Sequence, residues 1–215
     1  MTSTMTLPVY ALAGLVPFMA TKDTRYYLNG LMVEPTRAVA TDGHALAVAH
    51  SGGMEWSGPA QRVILPSEMV KAVVRQSKPG GLIRLTIPEA GPLVAQVEEV
   101  RPGMAAVVHG DRIDGRYPDA QAVIPLEVSG DAAAIGGDVL GKVTEAAKAL
   151  VKAGAGRYVA VRIDQNGQRA AGFRLTCSGA PELSIGGVLM PLRDNGKARV
   201  AASHGDTLAD LWGAA

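Results

Sequence analysis

Apolar positions recur along the chain with two periods, one near 3.6 and one near 2, and the changes between them mark out the elements. Leu12, Leu15, Val16 and Met19 repeat at helical spacing and predict a helix over about 8–20. Pro8 suits its first turn, and Pro17 is placed to kink it. Two strand-like runs follow, 26–34 and 37–49, divided at Pro35-Thr36, and Gly52-Gly53 and Gly58-Pro59 mark loops. Residues 62–65 read as a short strand. Pro66-Ser67 then opens a helix through Lys78, stopped by Pro79-Gly80-Gly81. The runs 82–87, 93–99 and 105–108 are further strand candidates, with 111–113 a short fourth.

The segment 125–137 mixes Gly with small and polar residues and reads as a linker between two domains, 1–125 and 126–215. Beyond it, Val139, Val143, Ala146 and Leu150 predict a helix over 138–153, ended by Gly154 and Gly156. The alternating runs 157–164 and 168–178 flank Asn166-Gly167, a strong hairpin signal. The two halves echo each other. Each runs helix, Arg-Tyr pair opening a strand, turn and second strand, with Arg25-Tyr26 and Arg157-Tyr158 in equivalent places.

Composition narrows the class. With 215 residues, 47% of them apolar and 19% charged, the chain can bury a core and is not disordered. Aromatics are only 4%, so that core rests on small aliphatic side chains. The net charge of +1 gives no vote for nucleic acid, because a protein gripping many phosphates is usually far more basic, although a local patch can suffice. The single Cys177 cannot form an internal disulfide; it sits in an alternating run with no base beside it and reads as a buried hydrophobe. No stretch approaches the ~18 uninterrupted apolar residues of a membrane span. The first apolar run, 9–20, contains Pro17 and lacks a basic leader, so a soluble, cytoplasmic protein without a signal peptide is expected.

Three motifs carry a resemblance. They are Arg25-Tyr26-Tyr27-Leu28-Asn29-Gly30 with Ala40-Thr41-Asp42-Gly43-His44-Ala45-Leu46-Ala47; Asp114-Gly115-Arg116-Tyr117-Pro118-Asp119 ending at Val123-Ile124-Pro125; and Val188-Leu189-Met190-Pro191-Leu192-Arg193. Together, and in this order, they resemble the signatures of the bacterial beta sliding clamp, the processivity subunit of the replicative polymerase. The first two resemble that family's middle domain and the third the end of its last domain. Taken singly, each is also an ordinary strand end or Asp-Gly turn.

The resemblance implies an α+β fold of clamp repeats, each with helices packed on antiparallel sheets. It covers 7–125 well and 138–193 more loosely. The chain has no counterpart of the family's first domain, its second half is short for a full repeat, and 194–215 lie past the family's end. A hydrophobic groove for short partner peptides is implied, walled by Leu28, Thr41, Gly43, His44, Leu46, Pro118, Val123, Val188, Met190, Pro191 and Leu192. Apolar side chains from separate segments, a flexible Met and a Gly that admits a backbone fit such a role. Some family members have arginine where Ala45 and Ala122 stand, and losing both removes charged rim contacts.

The family's helices face double-stranded DNA, making weak, sequence-blind backbone contacts. Here Lys71, Arg75 and Lys78 share one helix face, and Lys148 and Lys152 form a second stripe, with Lys142 one to two turns earlier. A plain solvated face explains each stripe equally well. Leu208-Ala209-Asp210-Leu211-Trp212 resembles the peptides that enter the groove and could plug it, or pack on the chain's own body as an amphipathic helix.

The implied function is a non-enzymatic, clamp-like platform on DNA that serves polymerases and repair proteins, with a clamp loader as a further partner. A ring of three two-domain chains would keep six domains. The alternative is a soluble adaptor or decoy that binds the same peptides, or its own tail, without encircling DNA. No phosphate loop, activated nucleophile, paired carboxylates or metal-ligand spacing points to an enzyme, a cofactor or a metal. Asp42 and His44 lack the further ligands a metal needs.

Overall fold

Proline and glycine set many of the element boundaries. The computed structural model describes residues 1–101, 104–125 and 127–192. The chain opens with β1 (Thr2–Pro8), which the sequence reading missed, and Pro8 turns it into α1 (Val9–Ala13). The predicted helix over 8–20 is therefore cut to one short helix followed by a 3-10 turn at Val16–Phe18. The cause is Pro17, which cannot donate the N–H that a continuing helix requires. The 26–34 run likewise splits into a 3-10 turn at Tyr26–Leu28 and β2 (Gly30–Glu34), so Arg25-Tyr26 opens a turn, not a strand. The 37–49 run breaks at Asp42-Gly43-His44 into β3 (Arg37–Thr41) and β4 (Ala45–Ser51).

Next come β5 (Glu55–Ser57), also unforeseen, β6 (Val63–Pro66) and α2 (Ser67–Gln76). The strands β7 (Leu82–Pro88), β8 (Leu93–Arg101) and β9 (Met104–Gly110) match three predicted runs. The 111–113 candidate reduces to a single bridge between Ile113 and Ile64. The chain then passes through α3 (Gly137–Lys152), β10 (Val159–Asp164), β11 (Ala171–Cys177) and β12 (Leu183–Leu189). Asn166-Gly167 falls in the β10–β11 connection, with Gly167 at φ +58°. The segment from Arg193 onward, including Leu208 to Trp212, lies outside the described residues.

The repeat is finer than the sequence implies. Among the described residues one unit, a helix followed by three antiparallel strands, occurs three times: α1-β2-β3-β4, α2-β7-β8-β9 and α3-β10-β11-β12. The first two units exchange strands. β1, ahead of α1, adds to β7, and β6, ahead of α2, adds to β2. The result is a five-stranded sheet, β5-β1-β7-β8-β9, and a seven-stranded sheet, β10-β11-β12-β4-β3-β2-β6.

The seven-stranded sheet runs across the 125–137 segment because β12 pairs antiparallel with β4, from Leu183↔Ser51 to Leu189↔Ala45. Gly187 makes this approach possible, since a Cβ there would collide with the Leu46 carbonyl. Residues of both described sheets and of α1, α2 and α3 share one core, in which Phe18 stacks on Phe173 with ring centroids 5.3 Å apart. A second, smaller cluster (Met32, Val39, Leu46, Val48, Ile64 and Val188) lies on the other face of the large sheet. It is covered by Ile113, Tyr117 and Ala120 of the segment after β9. Alternation makes both clusters: successive residues of β2, β3, β4 and β6 point to opposite faces, and both faces are buried. Among the described residues no helix is long and apolar enough to cross a membrane.

Candidate functional site

At one end of this outer cluster the β3–β4 turn is rigidly built. Asp42 Oδ1 accepts from the backbone N–H groups of His44 (2.9 Å) and Ala45 (3.0 Å). The Thr41 hydroxyl donates to the Ala45 carbonyl (2.8 Å) and accepts from Gly43 N (3.1 Å). Gly43 has φ +91°, and a Cβ there would press on the Arg25 guanidinium 2.9 Å away. Asp42 and Gly43 thus serve local turn geometry first. Arg25 donates to the Asp42 carbonyl (3.2 Å) and pairs with Asp23 (2.7 Å). That pairing, with the Arg25 N–H, holds the Asp23 carboxyl down to about 2.

Tyr117 fastens the covering segment to the sheet. Its hydroxyl accepts from Thr41 N (3.0 Å) and lies 3.3 Å from the Gly30 carbonyl, to which it donates. Burial pushes this phenol well above the ordinary tyrosine value. From the third unit, Met190 N donates to the His44 carbonyl at 2.8 Å, which seats Met190 beside the turn.

Between these parts lies a pocket of about 240 Å³. Nine of the eleven residues named from the sequence line it: Leu28, Thr41, Gly43, His44, Leu46, Pro118, Val123, Val188 and Met190. Pro191 and Leu192 run on past it, with Leu192 N donating to the Ala134 carbonyl (2.8 Å). Arg25 and Tyr27 also line the pocket and were not expected there, as does Ala45, which the resemblance placed at the rim and not in the wall. All three stand inside the quoted motifs, which were the available signal. Leu46 and Val188 face each other across the β4–β12 ladder, so the floor belongs to two units at once.

The predicted cations divide. α1 packs against both α2 and α3, and a mainly apolar cleft of about 530 Å³ runs between the outer helices. Lys71 and Arg75 of α2, with Lys78 just past its end, line it on one side and Lys152 of α3 on the other, with Val9, Ala13 and Val16 beneath. Gly80 N donates to the Ala153 carbonyl (2.8 Å), tying the two helix ends together. Lys71 is paired with Glu68 (3.1 Å), and the exposed Lys148 with Glu145 (2.9 Å). Lys142 turns away from this cleft. It is half-buried and pairs with Asp42 beside the other pocket, because it lies near the start of α3, next to the β3–β4 turn.

Among the described residues no group of three His, Cys, Asp or Glu could hold a metal ion. Cys177 is buried, and that burial, with Glu182 nearby, raises its thiol pKa and disfavours the thiolate.

Residues 14–119 match the family model of the DNA polymerase III beta subunit, central domain. The chain is 36% identical over 114 residues to the beta sliding clamp of Salmonella typhimurium, a match spanning 50% of this chain and 28% of that protein. It is 35% identical over 118 residues to the beta sliding clamp of Caulobacter vibrioides, spanning 51% and 30%. These matches therefore span under a third of the curated relatives' length. A crystal structure of the DNA polymerase sliding clamp from Pseudomonas aeruginosa with ligand superposes with TM-score 0.62 at 18% identity, over 88% of this chain and 66% of that one. The sliding clamp from the same organism bound to griselimycin gives 0.61 at the same identity, over 88% and 65%. At such identity these structures speak for the fold, which is the α+β clamp fold of helices packed on antiparallel sheets.

Proposed function

We propose, from the premise that this chain belongs to the beta sliding clamp family, that it is a non-catalytic platform which receives short peptides of polymerases and repair proteins in the Thr41–Met190 pocket. The observation that carries this reading is the convergence of four separate segments, 25–28, 41–46, 118–123 and 188–190, on one small concave apolar site. A pocket of this kind takes one or two large apolar side chains, with His44 and the backbone around it as polar partners. The chain is read as a clamp-like domain over 1–125 followed by a shortened one over 126–215. DNA, held without sequence preference along the helical face, is the second partner, in the cytoplasm. The cations lining the α2–α3 cleft support that part, and assembly into a closed homo-oligomer, three chains in a ring, would let it encircle a duplex. A clamp loader fits the same reading.

A fluorescent peptide carrying a Leu-Phe anchor tests the pocket. His44→Ala and Met190→Ala are expected to weaken its binding about fivefold or more while leaving the circular dichroism spectrum unchanged. Unchanged affinity in both variants would overturn the assignment.

A second reading, a soluble adaptor that binds such peptides without encircling DNA, is favoured by one observation. Lys71 and Lys148 are each offset by a neighbouring glutamate, and the whole chain carries a net charge of only +1. Sedimentation and retention on circular against linear DNA separate the two. A stable ring that stays on circles supports the platform, and a monomer with peptide affinity alone supports the adaptor.

A further inference from the structure

A larger pocket, of about 640 Å³, adjoins the apolar one and shares Tyr27 and Pro118 with it as a common wall. Its character is different. From β3 across β2 to the residue just ahead of β6 runs a ladder of alternating charge: Glu34, only 7% exposed, receives Arg37 on one carboxylate oxygen and Arg62 on the other, the latter at 2.8 Å. Both oxygens of Glu34 are thereby occupied. Each guanidinium has five N–H donors in a planar fork, so one hydrogen bond to Glu34 leaves most of them available. Arg62 has 71% of its side chain exposed.

The opposite wall adds two more guanidiniums. Arg112 is steadied by donating to the Pro88 carbonyl, and Arg116 is exposed with no ion-pair partner among the described residues. Four arginines thus meet three carboxylates (Glu34, Asp114 and Asp119), of which the most buried is already spent on two of them. The site has a surplus of positive charge and, more to the point, unfilled fork-shaped donors. Carboxylates match that geometry in bidentate fashion.

This pocket lies on the sheet face away from the core that the helices share, since Met32 and Ile64, which also line it, belong to the outer cluster. It is therefore separate from the helical cations and adjoins the apolar pocket. We propose that the two form one bipartite site, which selects peptides whose apolar anchor is flanked by aspartate or glutamate residues. The anchor fills the Thr41–Met190 pocket, and the flank crosses Tyr27 and Pro118 to the arginines. This inference rests on the peptide-groove reading and narrows the class of partner.

The test uses the full chain and labelled peptides of identical Leu-Phe anchor, with three flanking acidic residues on one side or the other, or with the matching amides. At low ionic strength the better acidic peptide should bind about tenfold tighter than its amide counterpart, and the ratio should fall towards one as salt is raised. In an Arg62→Gln, Arg116→Glu double variant, with folding checked by circular dichroism and thermal melting, the ratio should drop to about twofold or less. Equal binding of acidic and amide peptides to the unaltered chain would overturn the inference alone, as would a preference that survives in the double variant. Binding of no peptide at all would overturn the groove reading, and this inference with it.

Discussion

Replacing Tyr117 by phenylalanine removes one oxygen atom and keeps the ring, and that oxygen joins the covering segment to the sheet. Tyr117→Phe leaves Thr41 N–H, now paired at 3.0 Å, without a partner in a residue only 5% exposed. It also frees the Gly30 carbonyl from a longer contact of 3.3 Å. An orphaned buried donor costs about 1–3 kcal/mol, and the longer contact contributes less, so a loss of about 2 kcal/mol is expected. With a urea slope of about 2–3 kcal/mol/M, the unfolding midpoint should fall by roughly 0.7–1 M.

The pH dependence supplies a second, independent check. Burial raises the Tyr117 phenol above the ordinary value of about 10. Above that pH the unfolded chain gives up the proton while the folded chain keeps it, so the unfolded state binds fewer protons and stability falls as pH rises. The phenylalanine variant lacks this site, and its deficit against the unaltered chain should narrow between about pH 10 and 11.5. Tyr10, whose phenol is also raised by burial and by Glu182, contributes equally to both proteins and cancels. Equilibrium urea unfolding at several pH values measures both effects. A variant within about 0.5 kcal/mol of the unaltered chain at pH 7, or a deficit constant with pH, would refute the reasoning.

Gly187→Val should cost about 3 kcal/mol or more and abolish peptide binding, because its Cβ meets the Leu46 carbonyl at the β4–β12 seam that floors the pocket. Gly52→Ala, where the nearest atom is an ordinary 3.6 Å away, should stay within about 0.5 kcal/mol, and thermal melts compare the two. The Asp23 carboxylate should titrate at about 2 by nuclear magnetic resonance. In Arg25→Ala it should move up towards the ordinary value of about 3.9. Because the folded value is the lower one, its contribution to stability is present above about pH 4 and lost as pH falls through 2.

Where neighbouring residues set the structure, the sequence was readable. The Val70 and Val73 side of α2, the Val139-Val143-Ala146-Leu150 stripe of α3 and the alternation of β7 all appear as their spacing predicts. The turn residues Asp42 and Gly43 were legible too, because the hydrogen bonds that shape the turn itself, from His44 N and Ala45 N to Asp42 and from Gly43 N to Thr41, stay within residues 41–45. What failed depended on partners far away. The polar-apolar alternation of β1 looks like an ordinary N-terminus until Met5 and Leu7 meet β7. Lys142 looked like one of a stripe of cations, yet its partner Asp42 is one hundred positions earlier. The threefold unit was hidden because the 82–110 strands carry no Arg-Tyr pair to mark them as a copy. The charge ladder was hidden by distance too, since Arg62 reaches Glu34, twenty-eight positions earlier, only when β6 pairs with β2.

The seam between β4 and β12 also has a consequence in time. The pocket's two sides come from His44 and Met190, so it closes only when nearly all of the described chain has been made. At about 5–20 residues per second, the ribosome needs roughly 7–30 s to travel from one to the other. Contacts of such long sequence separation also form late in folding. A nascent or prematurely ended chain lacking β12 would expose the edge of β4 and offer a partner half a binding site. Occupancy of the pocket therefore reports that synthesis has passed Met190 and that the seam has zipped.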